Sequence, residues 1–391
     1  MRHLTVYLFI LLGFTLNGYA QKKHFYLTAK MNSMFILDDG STSAFWGYGL
    51  YNPSNPMNGA ARIPGPTIEV NHGDSVHIHF FNNSPESHTI HLHGLDVNQV
   101  NDGVPATSFM IPQHDSVTYK FLANHTGTFL YHCHVNTSLH LAMGMYGMVT
   151  VTDTNNIMYE NGPRFTKSYN LLASDGMRSW WDNPISPGPF HLYEADYFMI
   201  NGQAGSQLTE GQAIKVNPDD TVMIRLANIG YSLTKFIFPE GSNPIAYMSD
   251  GRKLPTLLES DTILIYPGER YSIILRPIED IEDFITISYH HMFNYTDIGM
   301  NTYPISIDFF NKISENIDRP SLIVYPNPAS SQITVNTPLP ANITIVDVFG
   351  RIVLQTFLIE GANIVNIQNI ANGSYLIYHD SGIAAKLEIC K

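Results

Sequence analysis

Only two cysteines, Cys133 and Cys390, occur in 391 residues. A disulfide-stapled scaffold is therefore excluded, and each β-rich block must be held by its own apolar core. Cationic residues are also few: 21 Lys and Arg stand against 34 Asp and Glu, giving a net charge of −13. With no Lys/Arg cluster to neutralise phosphates, nucleic acid is excluded as a partner. After the first twenty residues no apolar run approaches the roughly 18 residues that a membrane-spanning helix needs. Sustained helical periodicity is missing as well. What the chain does have is 44% hydrophobic and 12% aromatic residues with 17 histidines, the composition of a folded protein.

The opening MRHLTVYLFILLGFTLNGYA sets Arg2 ahead of an apolar stretch from Leu4 to Phe14, then small residues at Gly18 and Ala20. This is the pattern of a secretory signal, residues 1–20, with cleavage expected after Ala20. Short β runs follow, separated by Gly, Pro, Asn and Asp. TIEV, SVHIHFF, SVTYKFL, GTFLYH and GMVTVT lie in a first block, residues 21–155, and AIKV, TVMIRLAN, TILIYPGERYSIILRP and FITISYHH in a second, residues 156–312. Such runs predict antiparallel sandwiches or barrels. A polar linker at 313–321 leads to a third β-rich block, residues 322–391. The fold class is all-β, with two tandem β-sandwich domains and a small third one.

Chemistry concentrates in two stretches, HTIHLHG from His88 and HCHVNTSLHLAMGM from His132. In an extended strand, residues two apart share a face. His91 and His93 can therefore converge with His132 and His134, while Cys133 points to the opposite side together with His88. His140 lies seven residues beyond Cys133, and Met145 five beyond that. Two imidazoles, a thiolate and a thioether are the donors of a blue-copper electron-transfer centre. Soft sulfur disfavours calcium and magnesium, and a thioether is a poor zinc ligand. Binding a metal would also protect a lone cysteine in an oxidising compartment.

These two motifs resemble those of multicopper oxidases, namely His-x-x-His-x-His-Gly and His-Cys-His followed by His and Met. IPGPTIEVNHGDSV, NDGVP and GTFLYHCH are similar to the surrounding framework of a first cupredoxin domain, and NPDDTVMIRLANIG, YMSDGRKLP and LIYPGERYSIIL to that of a second. The resemblance implies two Greek-key cupredoxin domains and copper as cofactor. It makes His88, Cys133, His140 and Met145 the type 1 ligands, and His91, His93, His132 and His134 type 2/type 3 ligands. Electrons from a small-molecule or protein donor would enter at the type 1 copper. They would leave through Cys133 and its neighbours His132 and His134 to a second site that reduces O2. The third block, with Tyr325-Pro326-Asn327-Pro328, VDVFGRIVL and NGSYLI, resembles the C-terminal sorting domain of type IX secretion in Bacteroidota. That implies export through the periplasm by the secretion machinery, to the cell surface or beyond.

The chain departs from the family in two ways. The spacing from Cys133 to His140 is two residues longer than in laccase-like oxidases. A complete trinuclear cluster takes eight histidines in the family, whereas the first block supplies four and the second contains only His191, His290 and His291. Copper nitrite reductases offer an alternative, in which a neighbouring subunit completes a type 2 copper. His290 or His291 would then be the intersubunit ligand, and the chain a trimer-like homo-oligomer with nitrite as acceptor. That family, however, has an aspartate where His91 stands and no counterpart of His134. A non-enzymatic cupredoxin that only transfers electrons or binds copper is the third reading.

Blander roles are expected elsewhere. His72, His114, His125, His191 and His379 are read as ordinary surface or core histidines, His77 and His79 as strand residues, and Met143 and Met148 as packing. Trp180 and Trp181 are read as buried anchors, and Asp102 as a turn former in preference to a residue that tunes a nearby copper.

Overall fold

The alternation in Ser75–Asn82 sends Val76, Ile78 and Phe80 into an apolar core and turns His77, His79 and Phe81 outward. This is period-two patterning with one face buried. The computed structural model describes residues 21–184, 189–211, 213–309, 322–337, 340–379 and 384–391. The signal at 1–20 and the linker at 313–321 lie outside the described residues.

In the first block the strands are β1 (Lys22–Ile36), β2 (Thr42–Leu50), β3 (Ile68–Asn71), β4 (Ser75–Asn82), β5 (His91–His93), β6 (Ser116–Leu122), β7 (Gly127–His132) and β8 (Tyr146–Thr152). They form two four-stranded sheets, ordered β2-β1-β4-β6 and β3-β8-β7-β5. Leu27, Ile78, Phe80, Tyr119, Phe129 and Tyr131 fill the core between them. The sheets are not purely antiparallel as expected. β1 pairs with β4, and β3 with β8, in parallel. In a Greek-key sandwich consecutive strands cross between sheets, so neighbours in one sheet can be distant in sequence and run the same way.

The second block comprises β9 (Lys167–Gly176), β10 (Tyr197–Ile200), β11 (Ile214–Val216), β12 (Val222–Asn228), β13 (Leu233–Ile237), β14 (Pro244–Ser249), β15 (Arg252–Glu259), β16 (Thr262–Ile265), β17 (Arg270–Leu275), β18 (Ile281–His290) and β19 (Asp297–Ile307). One sheet runs β10-β9-β12-β17-β14-β15 and the other β11-β19-β18-β13-β16. Ile224, Phe236, Ile273, Ile287 and Ile305 lie between them.

The two blocks share buried surface. Every residue of β7 is buried, because it is covered on both faces. Phe129 and Tyr131 enter the first core, while Leu130 joins Tyr146 and Met148 against Leu172, Ala227 and Ile229 of the second block. Arg225, also buried, donates to the Gly127 carbonyl at 3.3 Å and to the hydroxyls of Thr128 and Thr152 at 3.2 and 3.0 Å. Accordingly the first two blocks fall in one compact unit, and the chain divides into two such units at 311/312.

By itself, the second unit pairs a β20-β21-β24 sheet with a β23-β22-β25-β26 sheet. The strands are β20 (Ile323–Tyr325), β21 (Gln332–Thr337), β22 (Ala341–Asp347), β23 (Ile352–Leu358), β24 (Gly361–Asn366), β25 (Gly373–His379) and β26 (Ala384–Ile389). Ile333, Val335, Ile343, Ile345 and Leu387 form its own core. Among the described residues no helix is long and apolar enough to cross a membrane.

Candidate metal centre

The strand β7 ends at His132, and the next residue, Cys133, is tied by its amide to the Met145 carbonyl at 3.1 Å. The chain then leaves the sheet through Asn136, whose φ of 43° is left-handed. It winds into the six-residue helix α1 (Thr137–Ala142), which carries His140. Sequence periodicity gave no sign of this helix, because six residues are too few to display a period. The helix takes up the longer spacing between Cys133 and His140. The Met145 amide donates to the His140 carbonyl at 2.9 Å, and that bond closes the loop.

Cys133 Sγ lies 3.2 Å from His140 Nδ1 and 3.5 Å from His88 Nδ1. His88, Cys133, His140 and Met145 are all 0% exposed. His88 is held by a two-way backbone bridge with Ile111. Its Nε2 is buried without a hydrogen-bond partner, so the ring is positioned by packing and by what its Nδ1 faces. Burial pulls the His88 imidazole down to about 3, with the neighbouring His140 adding to the shift, and pushes the Cys133 thiol up. His140 is lowered by burial, but the Glu86 carboxylate, 3.3 Å from its Nε2, opposes the shift. Two neutral imidazole nitrogens and a buried sulfur, with Met145 fastened beside them, fit copper far better than a hard cation.

On the other face of the same chain segment stand His91, His93, His132 and His134. One donor nitrogen each from His91, His93 and His132 lies within 4.8 Å of the other two. Ring centroids put His134 5.2 Å from His91 and 6.0 Å from His132. The backbone pairs His91 directly with His132 across β5 and β7. Nδ1–H of His91 donates to the Asp102 carbonyl at 2.7 Å, and that of His132 to the Cys133 carbonyl at 3.0 Å. These bonds set the tautomers and leave each Nε2 as a lone-pair donor. Burial holds His132 at about 3 and, helped by the Arg270 guanidinium, His93 at about 4. Both rings are therefore neutral and able to ligate a metal at ordinary pH.

Asp102 forms a turn, as expected, and also contacts His91. It caps the short helical turn at Gln99–Asn101, and it orients His91 with its carbonyl while its carboxylate stands 3.3 Å from the same Nδ1. Three contributors escaped sequence reading. Glu86, two residues before His88, lies in a bend rather than a strand, so period-two spacing does not mark it. Gly268 and Arg270 come from the second block, and no local signal marks them. A Cβ on Gly268 would stand 3.2 Å from the His93 ring.

His290 and His291 do not join the histidine group within this chain. His290 Nδ1 is 2.7 Å from the Asp297 carboxylate and its Nε2 is 2.9 Å from the Ser288 hydroxyl. His291 sits at the end of β18, where its Nδ1 accepts from the Phe293 amide at 3.3 Å. Among the described residues, His72, His114, His125 and His191 belong to no group of three donors. The side chain of His379 lies outside the described residues. Met143 and Met148 are core residues, and Trp180 and Trp181 are buried. Trp181 Nε1 donates to the Ala142 carbonyl at 2.8 Å, at the end of α1.

Comparison with known proteins agrees with this geometry. Two family models described as multicopper oxidase match residues 52–156 and 175–303, and a secretion system C-terminal sorting domain matches 323–387. A blue copper oxidase from Nitrosomonas europaea, known from its crystal structure, is 30% identical. That similarity covers 73% of this chain and 86% of the oxidase, with a TM-score of 0.59. Laccase-15 of Oryza sativa subsp. japonica is 30% identical over 231 residues, which is 55% of this chain and 37% of the laccase. A copper-containing nitrite reductase of Neisseria gonorrhoeae is 26% identical over 269 residues, 67% of this chain and 63% of the reductase. The chain thus spans little more than a third of the laccase and less than two thirds of the reductase. The matching models, the blue copper oxidase and the paired donor groups together place this chain in the multicopper oxidase family, with a secretion-system sorting domain at its C-terminal end.

Proposed function

We propose that the protein is an exported copper-dependent oxidoreductase that oxidises a small-molecule or protein donor and reduces O2. In this reading His88, Cys133, His140 and Met145 hold a type 1 copper, and His91, His93, His132 and His134 hold type 2/type 3 copper. When bound, copper would supply one-electron redox chemistry at both groups. The observation that carries the reading is connectivity: Cys133 of the first group is joined by single peptide bonds to His132 and His134 of the second. The chain excludes water from the sulfur, fixes the tautomers of His91 and His132, and provides the covalent path between the groups. A donor would approach where Glu86, with its side chain 51% exposed, meets the buried His140.

Copper quantitation and absorption spectroscopy, with O2 consumption against a reducing dye, test this proposal. More than one copper per chain, a blue thiolate band and O2 uptake are expected. Fewer than one copper and no band would overturn it.

Nitrite reduction is the second reading, favoured by the exposed end of β18. There His291 stands beside Phe293 and Tyr295, which are 90% and 57% exposed, an apolar setting suited to a neighbouring subunit in a trimer-like homo-oligomer. The retained His91 and His134 argue for O2 instead. Nitrite turnover that vanishes on His291→Ala while the blue band persists would decide for nitrite. One copper per chain and no turnover with either acceptor would leave a cupredoxin that only carries electrons or binds copper. The sorting domain implies export, and we assign its route to type IX secretion in a Bacteroidota-like bacterium, ending at the cell surface or in the medium.

A further inference from the structure

A third group of histidines lies on the solvent side of the first sheet. His24 on β1 is directly opposite His77 on β4, and His79 follows two residues on along the same outward face. His24 Nδ1 stands 2.8 Å from His79 Nε2, and one donor atom from each of the three residues lies within 4.8 Å of the others. His79 is held in place: its Nδ1 is 2.9 Å from the Thr118 hydroxyl, and Tyr26 stacks on its ring at 4.6 Å. With Nδ1 so engaged, its Nε2 is the atom presented to His24.

We propose that His24, His77 and His79 form a surface site for one divalent first-row transition metal, with Cu²⁺ bound more tightly than Zn²⁺. Metal–nitrogen bonds of about 2.0–2.1 Å in a tetrahedral site separate ligand nitrogens by about 3.3 Å. The three donors can reach that spacing by small side-chain rotations, because His24 is exposed and His77 half-buried. Three imidazoles select borderline metals over calcium or magnesium, and the Irving–Williams order ranks copper above zinc. Burial, His24 and Lys120 disfavour the protonated forms of His77 and His79, and Lys22 adds to the effect on His77. The lysine charges weaken cation binding, so the site is a moderate one and keeps coordination positions open to water or an anion. Bound there, a metal would bridge β1 to β4. Sequence reading took His77 and His79 as plain strand residues, because His24 lies 53 positions before His77 and only the parallel pairing brings it alongside.

This inference does not depend on the buried groups, and its test keeps the two apart. Full-length protein is first loaded with copper, dialysed against a chelator that strips metal from exposed sites and then against chelator-free buffer, and titrated with Zn²⁺ by calorimetry. The wild type is expected to take up one equivalent more than the double variant His77→Gln/His79→Gln, with the blue thiolate band equally strong in both. The control His72→Gln, altering an exposed histidine outside the group, is expected to match the wild type. Equal uptake by the wild type and the double variant, or loss of the equivalent in His72→Gln, would overturn the proposal. Cu²⁺ added to the copper-loaded protein should add a further paramagnetic resonance signal with nitrogen hyperfine structure over the spectrum recorded before addition, and the same added signal in the double variant would also count against the site.

Discussion

The imidazoles of His88 and His132 are buried and neutral, and that state has a cost in acid. Both are depressed to about 3 from an ordinary value of 6.5, so the unfolded chain binds protons that the folded chain refuses. The stability they contribute is fully present above pH 6.5 and is lost as pH falls toward 3. For metal-free protein this predicts a loss of about 1.4 kcal/mol per pH unit for each of the two histidines. Urea denaturation between pH 7 and 5 measures it, and a flat profile would contradict the burial assigned to these rings. Glu86 offers a second residue-level prediction. Its carboxylate lies against His140 Nε2 and stabilises added positive charge at the buried group. Glu86→Gln should therefore raise the midpoint potential in a redox titration while leaving the blue band in place. The shift should be modest, because a half-exposed carboxylate is screened by solvent. At this scale much of the sequence was legible: period-two alternation placed Cys133 and His88 on one side and His91, His93, His132 and His134 opposite. Glu86 and Arg270 were not read, since their roles arise from where loops and a second sandwich come to rest.

Among the elements, α1 deserves the closest scrutiny because it delivers His140. Six residues form no stable helix alone. This one is fastened from the second block, by Trp181 Nε1 on the Ala142 carbonyl at 2.8 Å and by the Tyr231 hydroxyl on the Ser138 carbonyl at 3.0 Å. Tyr231 is itself placed by the buried Asp175, which accepts from the Tyr231 and Ser232 amides at 2.8 and 2.7 Å. Trp181→Phe is expected to cost about 1–2 kcal/mol through the lost donor, and Trp181→Ala about 3–5 kcal/mol through the cavity as well. Bleaching of the blue band in urea should begin at lower concentration in both. If the band and the global unfolding move independently, α1 is not supported as described. Nothing in the sequence joined Trp181 to Ala142, 39 positions apart, although the buried-anchor reading was correct in kind. The short strands, by contrast, were legible from turn residues and alternation, while their parallel pairings depended on long-range connections.

For the whole molecule, the shared burial of β7 predicts that both sandwiches unfold together. Residues 312–391 have their own core and should unfold as a separate unit. Calorimetry of full-length protein should resolve two transitions. Arg225→Ala removes three buried donor contacts, to the Gly127 carbonyl and the Thr128 and Thr152 hydroxyls, and should lower only the larger transition, by about 3 kcal/mol. A shift of the smaller transition instead would refute this division.

At the end of β7, three consecutive residues work as a partition one chain thick. His132 and His134 line one compartment and Cys133 the other, so what separates thiolate from imidazole is the parity of position along the backbone. A single-residue insertion just before His132 would delete no donor and change no side chain, yet it would exchange the compartments of sulfur and nitrogen. Any such variant should lose the functions of both groups at once, which point substitutions on either side need not do.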